Sequence, residues 1–118
     1  MTTTHDTTAA GELSALLDPL KALANPVRLQ LLEWLREPEE HFPVNKEITD
    51  PYEVGVCVSH IQAKAGLAQS TVSAYMATLE RAGLVRSTRV GKWTHYRRDE
   101  ARIAALIEQL KRSLGPLE

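Results

Sequence analysis

The chain has a single cysteine, no long apolar run and almost no net charge. Cys57 has no second cysteine with which to form an internal disulfide, so we expect the protein to work in a reducing compartment. No apolar run approaches the length that crosses a membrane. The threonine-rich start, residues 1–13, has neither the basic nor the apolar region of a secretion signal. We therefore expect a cytoplasmic protein with no membrane partner.

Length and composition favour one small globular domain. The chain has 118 residues, of which 43% are hydrophobic and 25% charged, as in ordinary globular proteins. A domain of this size leaves a large share of its surface in water. Apolar helices at its two ends would therefore indicate burial against a second copy of the chain.

The formal net charge of -1 conceals an uneven distribution of charge. Residues 1–58 carry a net charge of -6, whereas residues 59–118 carry +5. The segment 59–98 alone carries +6. A concentration of this kind is typical of a surface that binds a polyanion, and the alternative is an ordinary solvated surface.

The N-terminal part of the chain predicts a tail and two helices. Residues 1–10 are polar and without periodicity, which predicts a flexible N-terminal tail. Leucines at helical spacing then predict a helix from about Glu12 to Ala24. Asn25 is a typical N-cap and Pro26 suits the first position of a second helix.

That second helix should end near Glu37, where a long connection begins. Three prolines and six acidic residues predict a long acidic loop over residues 37–54. At the other end of the chain, apolar residues at helical spacing predict a last amphipathic helix that stops at Gly115; they are Ile103, Ile107, Leu110 and Leu114. We take residues 11–115 as a single domain.

The middle of the chain predicts two helices joined by a tight turn. Residues 54–58 are consistent with a short strand. Ser59 is a suitable cap for a short helix that ends before Gly66, and a longer helix runs from Gln69 to about Ala82. A short turn containing glycine between a short and a longer helix is typical of a helix-turn-helix.

After the second of these helices, the hydrophobic period falls from the helical value towards two. Alternation on both sides of Gly91 predicts a β-hairpin. The sequence therefore predicts a mainly α-helical fold with a small β-hairpin, in the α+β class.

The helix over residues 69–82 has two chemically different sides. Val72, Met76 and Leu79 share one side, which must face the core. The opposite side carries small or hydroxylated residues, which let a helix approach the DNA major groove and read base edges. A plain surface helix is the alternative, although such a helix normally carries long Glu and Lys side chains there. The candidate DNA-binding residues on this helix are Gln69, Ser70, Thr71, Ser73, Tyr75 and Arg81.

The hairpin supplies positive charge beside that helix. Arg89 and Lys92 flank the bend, where they can reach the sugar-phosphate backbone or a minor groove, and they complete the candidate DNA-binding set. Three further arginines lie nearer the base of the hairpin, where pairing with acidic neighbours is equally plausible; they are Arg86, Arg97 and Arg98. We expect Trp93 and Tyr96 to pack in the core and hairpin rather than stack on bases, and we take His95 as structural.

Four stretches together resemble the ArsR/SmtB family of bacterial winged-helix repressors, and the resemblance spans about residues 13–114. They are 20–29 (Leu-Lys-Ala-Leu-Ala-Asn-Pro-Val-Arg-Leu), 69–73 (Gln-Ser-Thr-Val-Ser), 82–85 (Ala-Gly-Leu-Val) and 91–97 (Gly-Lys-Trp-Thr-His-Tyr-Arg). The resemblance implies a winged helix-turn-helix, with a recognition helix beginning near Gln69 and a wing around Gly91. It also implies a homodimer joined mainly through the first and last helices, which binds an inverted-repeat DNA operator and is released by an effector. Family members often have Arg-His where this chain has Ala74-Tyr75, so the DNA contacts of that pair are not expected here. Tyr75 remains a candidate for contact with phosphate.

The chain departs from the family at both of the metal sites that the resemblance implies. Metal-sensing members resemble a Cys-Val-Cys-Asp-Leu pattern, of which this chain keeps only the first thiol, Cys57. Other members carry ligands on the last helix, yet residues 100–118 contain no histidine. Cys57 and His60 with His41 from the acidic loop could hold zinc or nickel. The alternatives are a core cysteine or a redox sensor that reacts through intermolecular or oxyacid chemistry.

A catalytic function receives little support from the sequence. Cys57 and His60 could act as nucleophile and base, but the sequence shows no carboxylate to orient the histidine and no oxyanion loop. We therefore expect that the protein is not an enzyme. We expect a dimeric, sequence-specific DNA-binding transcriptional regulator that acts as a repressor. The alternative is a winged-helix module for protein interaction that does not bind specific DNA.

Overall fold

The computed structural model describes residues 3–47 and 49–115, with side chains from residue 11 onwards. Within these residues the chain forms six helices and a three-stranded antiparallel sheet in the order β1-β3-β2. The elements are α1 (Thr3–Leu23), α2 (Pro26–Arg36), α3 (Pro38–His41), β1 (Val56–Cys57), α4 (Val58–Ala65), α5 (Gln69–Arg81), β2 (Val85–Val90), β3 (Trp93–Arg98) and α6 (Glu100–Leu114). The predicted α+β class, mainly helical with a small hairpin, is confirmed.

Helix α1 begins nine residues before the predicted start at Glu12. The predicted start is wrong, because residues 3–10 have helical backbone and continue directly into the packed part of α1. Residues 1 and 2 of the predicted tail lie outside the described residues. Extending a helix that packing has already nucleated adds a hydrogen bond for each residue fixed, and Ala9 and Ala10 favour that extension.

The break between α1 and α2 follows the predicted capping chemistry. The Asn25 side-chain oxygen accepts hydrogen bonds from the backbone N–H groups of Val27 at 2.9 Å and Arg28 at 3.0 Å. Pro26 occupies the first helical position, where its missing N–H costs nothing. The end of α2 at Arg36 agrees with the predicted end near Glu37.

The predicted loop over residues 37–54 contains a one-turn helix, α3. The backbone N–H of Phe42 donates to the Pro38 carbonyl at 2.9 Å and closes that turn. Pro38 and Phe42 are both buried, and the Phe42 ring meets Trp34 edge-on with centroids 6.5 Å apart. The prediction of a loop without regular structure is wrong here, because these two apolar residues anchor the start of the segment to the core.

The helix-turn-helix begins at a two-residue strand. The short strand predicted over residues 54–58 is present as β1, which pairs with β3 and extends the predicted hairpin to a three-stranded sheet. Helix α4 starts at Val58 with Cys57 as its N-cap, and no side chain caps it, so the predicted role of Ser59 is wrong. The Ser59 hydroxyl instead lies 3.1 Å from the Cys57 Sγ, because the helix begins one residue earlier than predicted.

One hydrophobic core joins α2, α4, α5 and the base of the sheet. Val72, Met76 and Leu79 of α5 are fully buried, as predicted. Leu31 of α2 and Ile61 of α4 are equally inaccessible to water. The core therefore fixes the orientation of α5 and leaves its opposite side free.

Candidate nucleic-acid interface

Helix α5 is presented to solvent by the turn that precedes it. Gly66 ends α4 with a φ of +67°, a left-handed conformation that glycine adopts without a Cβ penalty. Helix α5 then begins at Gln69, the predicted position. The first turn of α5 is exposed at Gln69 and Ser70, and its first backbone N–H groups have no acceptor within the helix.

The candidate residues of α5 lie on its accessible side. Gln69, Ser70 and Arg81 are exposed, whereas Thr71 and Ser73 are partly exposed. Ala74 is also exposed, and on the helix surface it lies between Ser70 and Arg81. The exposed face of α5 therefore consists of short side chains, with an amide at one end and a guanidinium at the other.

Tyr75 lies at the side of this face and is partly buried against a neighbouring arginine. The Arg28 guanidinium lies 5.6 Å from the centroid of the Tyr75 ring. Arg28 Nε also donates to the Ala22 carbonyl at 2.7 Å, and its Nη2 donates to the Lys21 carbonyl at 3.3 Å. Tyr75 is thus an element of the packing between α2 and α5 as well as a candidate phosphate contact.

The hairpin projects beside α5 and ends in a two-residue turn, Gly91-Lys92. Val90 pairs with Trp93 across that turn, and Gly91 has a φ of +62°. The side chains of Arg89 and Lys92 are exposed, as expected for residues that reach a DNA backbone. Arg89 Nη1 donates to the hydroxyl of its cross-strand partner, Thr94, at 3.3 Å.

The two hairpin aromatic residues differ in burial. Tyr96 lies in the core with 8% of its surface exposed, and burial raises the pKa of its hydroxyl. Trp93 is 43% exposed, and Lys92 Nζ lies 5.9 Å from its ring centroid. Tyr96 therefore packs in the core, whereas Trp93 lies on the hairpin beside the solvent-exposed turn and outside the core.

Two of the three arginines near the base of the hairpin form ion pairs. Arg86 Nε donates to Asp99 Oδ2 at 2.7 Å, and Arg98 Nε donates to Glu100 Oε2 at 2.8 Å. Arg97 differs, since its Nε is buried without a hydrogen-bond partner among the described residues. Arg86 and Arg98 therefore contribute to local structure, and the positive charges available to a ligand are those further along the hairpin and on α5.

Asp99 connects the hairpin to α6. Its Oδ1 accepts from the backbone N–H of Arg102 at 3.1 Å and caps α6, while its other oxygen accepts from Arg86. The hydrogen bond from Arg86 holds the pKa of Asp99 below its ordinary value of 3.8, although burial opposes the shift. The carboxylate therefore stays charged and fixes β2 to the start of α6.

The candidate metal ligands do not form a metal site. Cys57 and His60 line a cavity of about 220 Å³ together with His95, but His41 is not among the residues that line it. Within residues 3–47 and 49–115, no three His, Cys, Asp or Glu side chains lie close enough to hold an ion. The residues present therefore do not fit a zinc or nickel ion, because a tetrahedral or higher site needs a converging set of donors.

Sequence reasoning missed two basic residues that the fold places against α5. Lys21 and Arg28 belong to the acidic half of the chain, yet they line one recess together with Arg81. A local signal existed for Arg28, since the Asn25 cap places it on the first turn of α2. Its proximity to α5 depends on tertiary packing.

A helix whose exposed face carries short side chains, next to a basic hairpin, defines a winged helix-turn-helix DNA-binding domain. The family model described as the IclR helix-turn-helix domain matches residues 52–89. The chain is 47% identical over 95 residues to the HTH-type transcriptional regulator YbzH of Bacillus subtilis, covering 80% of this chain and 94% of YbzH.

Two solved structures share the fold. A homodimeric winged helix-turn-helix DNA-binding domain from Mycobacterium bovis has a TM-score of 0.61 and 30% identity, covering 88% of this chain and 84% of its own. An ArsR-like transcriptional regulator from Rhodococcus has a TM-score of 0.64 with 20% identity, covering 86% of this chain and 81% of its own. The latter shows the fold alone.

The chain belongs to the ArsR family of winged-helix transcriptional regulators, of which the Mycobacterium bovis protein, 30% identical to this chain, is described as a possible member. It is a DNA-binding transcriptional regulator, and the prediction that it is not an enzyme is confirmed by these relatives. In the part of the chain that the structure describes, no helix is both long and apolar enough to span a membrane.

Proposed function

We propose that the protein is a cytoplasmic homodimeric repressor that binds an inverted-repeat operator, with one α5 helix in the major groove of each half-site. The exposed face of α5 carries this proposal. Its short side chains permit close approach to base edges, and the fully buried opposite face keeps the helix rigid. Arg89 and Lys92 supply contacts to the DNA backbone beside it.

The terminal helices support the dimer. Helices α1 and α6 lie side by side, and Gln109 Nε2 of α6 donates to the Glu12 carbonyl of α1 at 2.8 Å. They nevertheless leave four large apolar side chains exposed to water, namely Leu13, Leu17, Ile107 and Leu114. A second copy that covers them would be related by a two-fold axis, so its operator would be a palindrome with half-sites about 34–36 Å apart.

Selection from a library of random duplexes tests the proposal. We expect the purified full-length chain to enrich an inverted repeat whose half-sites are separated by about one helical turn. The recovered operator should shift in a gel at physiological salt. Enrichment of no sequence, with salt-sensitive binding to every duplex, would contradict the proposal and favour the module for protein interaction.

Release by an effector is the remaining part of the proposal, and the family resemblance supports it. Native mass spectrometry of the chain purified without chelator would report the copy number and any bound metal in one measurement. We expect a dimer without zinc or nickel, because the cavity beside Cys57 lacks a converging donor set. A stoichiometric metal would contradict the expectation of a metal-free dimer and make that metal the candidate effector.

A further inference from the structure

A basic recess lies where the end of α1, the start of α2 and the last turns of α5 meet. Its volume is about 390 Å³. Seven residues line it, and three of them are cations: Asp18, Lys21, Ala22, Arg28, Thr78, Arg81 and Ala82. We call this site the α1–α2 recess. Two of its three cations come from the half of the chain whose net charge is negative.

The charges of the α1–α2 recess are not neutralised by ion pairs. Lys21, Arg28 and Arg81 take part in none of the ion pairs formed by the described residues. Asp18 is the single acidic residue of the lining, which leaves a local net charge of +2. Lys21 and Arg81 are both exposed, so an anion can reach them from solvent.

Both guanidinium groups donate hydrogen bonds to the protein around the recess, Arg28 more strongly than Arg81. Arg28 donates to two carbonyls at the end of α1 and lies over the Tyr75 ring. Arg81 Nη2 donates to the Thr78 hydroxyl at 3.3 Å. Groups oriented in advance lose less conformational entropy on binding, and the planar fork of arginine suits the oxygens of a phosphate.

The recess and the hairpin lie on opposite sides of the exposed face of α5. Thr78 lines the recess, whereas Glu80 accepts a hydrogen bond at 2.6 Å from the Ser87 hydroxyl of β2. Two residues along a helix correspond to a rotation of about 200°. Ser70 and Ala74 lie between these two sides, on the face that carries the candidate base contacts.

We propose that the α1–α2 recess binds a backbone phosphate of the operator, on the DNA strand opposite to the one that the hairpin contacts. The major groove is about 12 Å wide and is bounded by two sugar-phosphate strands. A helix that lies in the groove with basic groups on both of its sides therefore meets both strands. The inference rests on the proposed function, since it takes α5 as the helix that enters the groove.

The first test uses the salt dependence of binding to the selected operator. The double variant Lys21→Gln/Arg81→Gln removes two exposed charges and leaves Arg28 to hold the helix junction. We expect the slope of log K against log salt to fall in magnitude by about 2 for the dimer, because each protomer then neutralises about one phosphate fewer. The control Arg36→Gln/Lys46→Gln removes the same charge from two exposed positions that do not line the recess and lie outside α1 and α6, and we expect it to retain the wild-type slope.

The second test locates the phosphate. Uncharged methylphosphonate linkages are placed one at a time along each strand of a half-site. We expect one linkage, across the groove from those sensitive to Arg89→Gln, to weaken wild-type binding without weakening the Lys21→Gln/Arg81→Gln variant further. If the linkage that no longer matters in the Lys21→Gln/Arg81→Gln variant lies on the same strand as the one that no longer matters in Arg89→Gln, the assignment to the opposite strand is overturned.

The outcomes separate the recess from the proposed function. Equal slopes for the recess variant and the control would refute the recess, while operator binding would leave the proposed function intact. Failure of the wild-type chain to select an operator would remove the proposed function itself. Competition by millimolar inorganic phosphate that depends on Lys21 and Arg81, with an unchanged salt slope, would indicate a site for a free anion and overturn the proposal.

Discussion

Asp99 shows how one side chain can join two parts of this molecule. Its two carboxylate oxygens serve different partners, one on the strand that begins the hairpin and one on the first turn of α6. The sequence left open whether Arg86 pairs with an acidic residue, and Asp99 lies 13 positions further along the chain. It did not indicate that the same carboxylate also caps a helix.

Removing the charge of Asp99 should weaken the fold in a pH-dependent way. The pKa of Asp99 is lower in the folded chain than its ordinary value of 3.8, so its stabilising effect is complete above about pH 5 and is lost as the pH falls below 4. We expect Asp99→Asn to lower the free energy of unfolding by about 1 kcal/mol at pH 7. The difference from wild type should shrink as the pH falls through the lowered pKa of folded Asp99, as urea titrations at pH 7 and at acidic pH would show.

The matched control is Glu100→Gln, which removes a carboxylate from an exposed ion pair with Arg98. Exposed pairs contribute little to stability. We therefore expect a much smaller change for this variant at pH 7. An equal effect of the two variants would contradict the role assigned to Asp99.

Base contacts and backbone contacts should respond differently to substitution. We expect Gln69→Ala to change sequence preference at one base pair of each half-site by about 1–3 kcal/mol, with little change in salt dependence. Arg89→Ala should weaken binding to all duplexes and reduce the salt slope. Fluorescence anisotropy with the operator and with single-base variants measures both quantities. Identical behaviour of the two variants would contradict the orientation of α5 in the groove.

Among the helices and strands, glycine positions show which turns depend on tertiary contact. Gly66 and Gly55 both have positive φ values, of +67° and +108°. A Cβ at Gly66 would meet nothing within 4 Å, whereas one at Gly55 would clash with the backbone carbonyl group of Tyr96. The first glycine serves a local turn, and the second permits β1 to approach β3.

These two glycines give a matched pair of substitutions. We expect Gly55→Ala to destabilise the fold by more than about 3 kcal/mol, because a backbone clash is added to the strain of a left-handed residue. Gly66→Ala should cost only the strain, about 1–2 kcal/mol. Thermal and urea unfolding of both variants measure the difference. Equal destabilisation would show that the approach of β1 to β3 does not require a residue without a Cβ at position 55.

The sequence predicted elements best where side chains act on their own backbone. Asn25 and Pro26 place the start of α2 correctly, and the period of Val72, Met76 and Leu79 identifies the buried side of α5. Helix α3 was missed because its turn depends on the burial of Pro38 and Phe42 against other elements. The early start of α1 was missed because polar residues without periodicity carry no signal for helix extension.

For the molecule as a whole, the terminal helices carry a group of apolar side chains that a single chain leaves exposed to water. Leu17 on α1 and Ile107 on α6 are each 48% exposed, and so is Leu29 on α2. Single exposed leucines are ordinary in soluble proteins, whereas a group on two adjacent helices indicates a partner. Under the proposed dimer, Leu17 and Ile107 are covered and Leu29 is not.

Substitution at these three sites tests the dimer. We expect Leu17→Gln/Ile107→Gln to give a monomer at micromolar concentration and to lose most of its operator affinity, because one protomer contacts only half of the site. Leu29→Gln changes an equally exposed leucine and should remain a dimer. Sedimentation velocity measures the mass of each. A dimeric double variant would contradict the use of α1 and α6 in the interface.

Local sequence was sufficient for the helix-turn-helix, the hairpin and the two-sided character of α5, because capping, turn chemistry and hydrophobic period act between residues close in the chain. Folding in three dimensions was needed to bring Lys21 and Arg28 to Arg81, and to place Cys57 beside His95 and away from His41. These neighbours are separated by about 40 to 60 positions in the sequence. Contacts over such separations arise from the packing of α1, α2 and the sheet around one core, which no local pattern encodes.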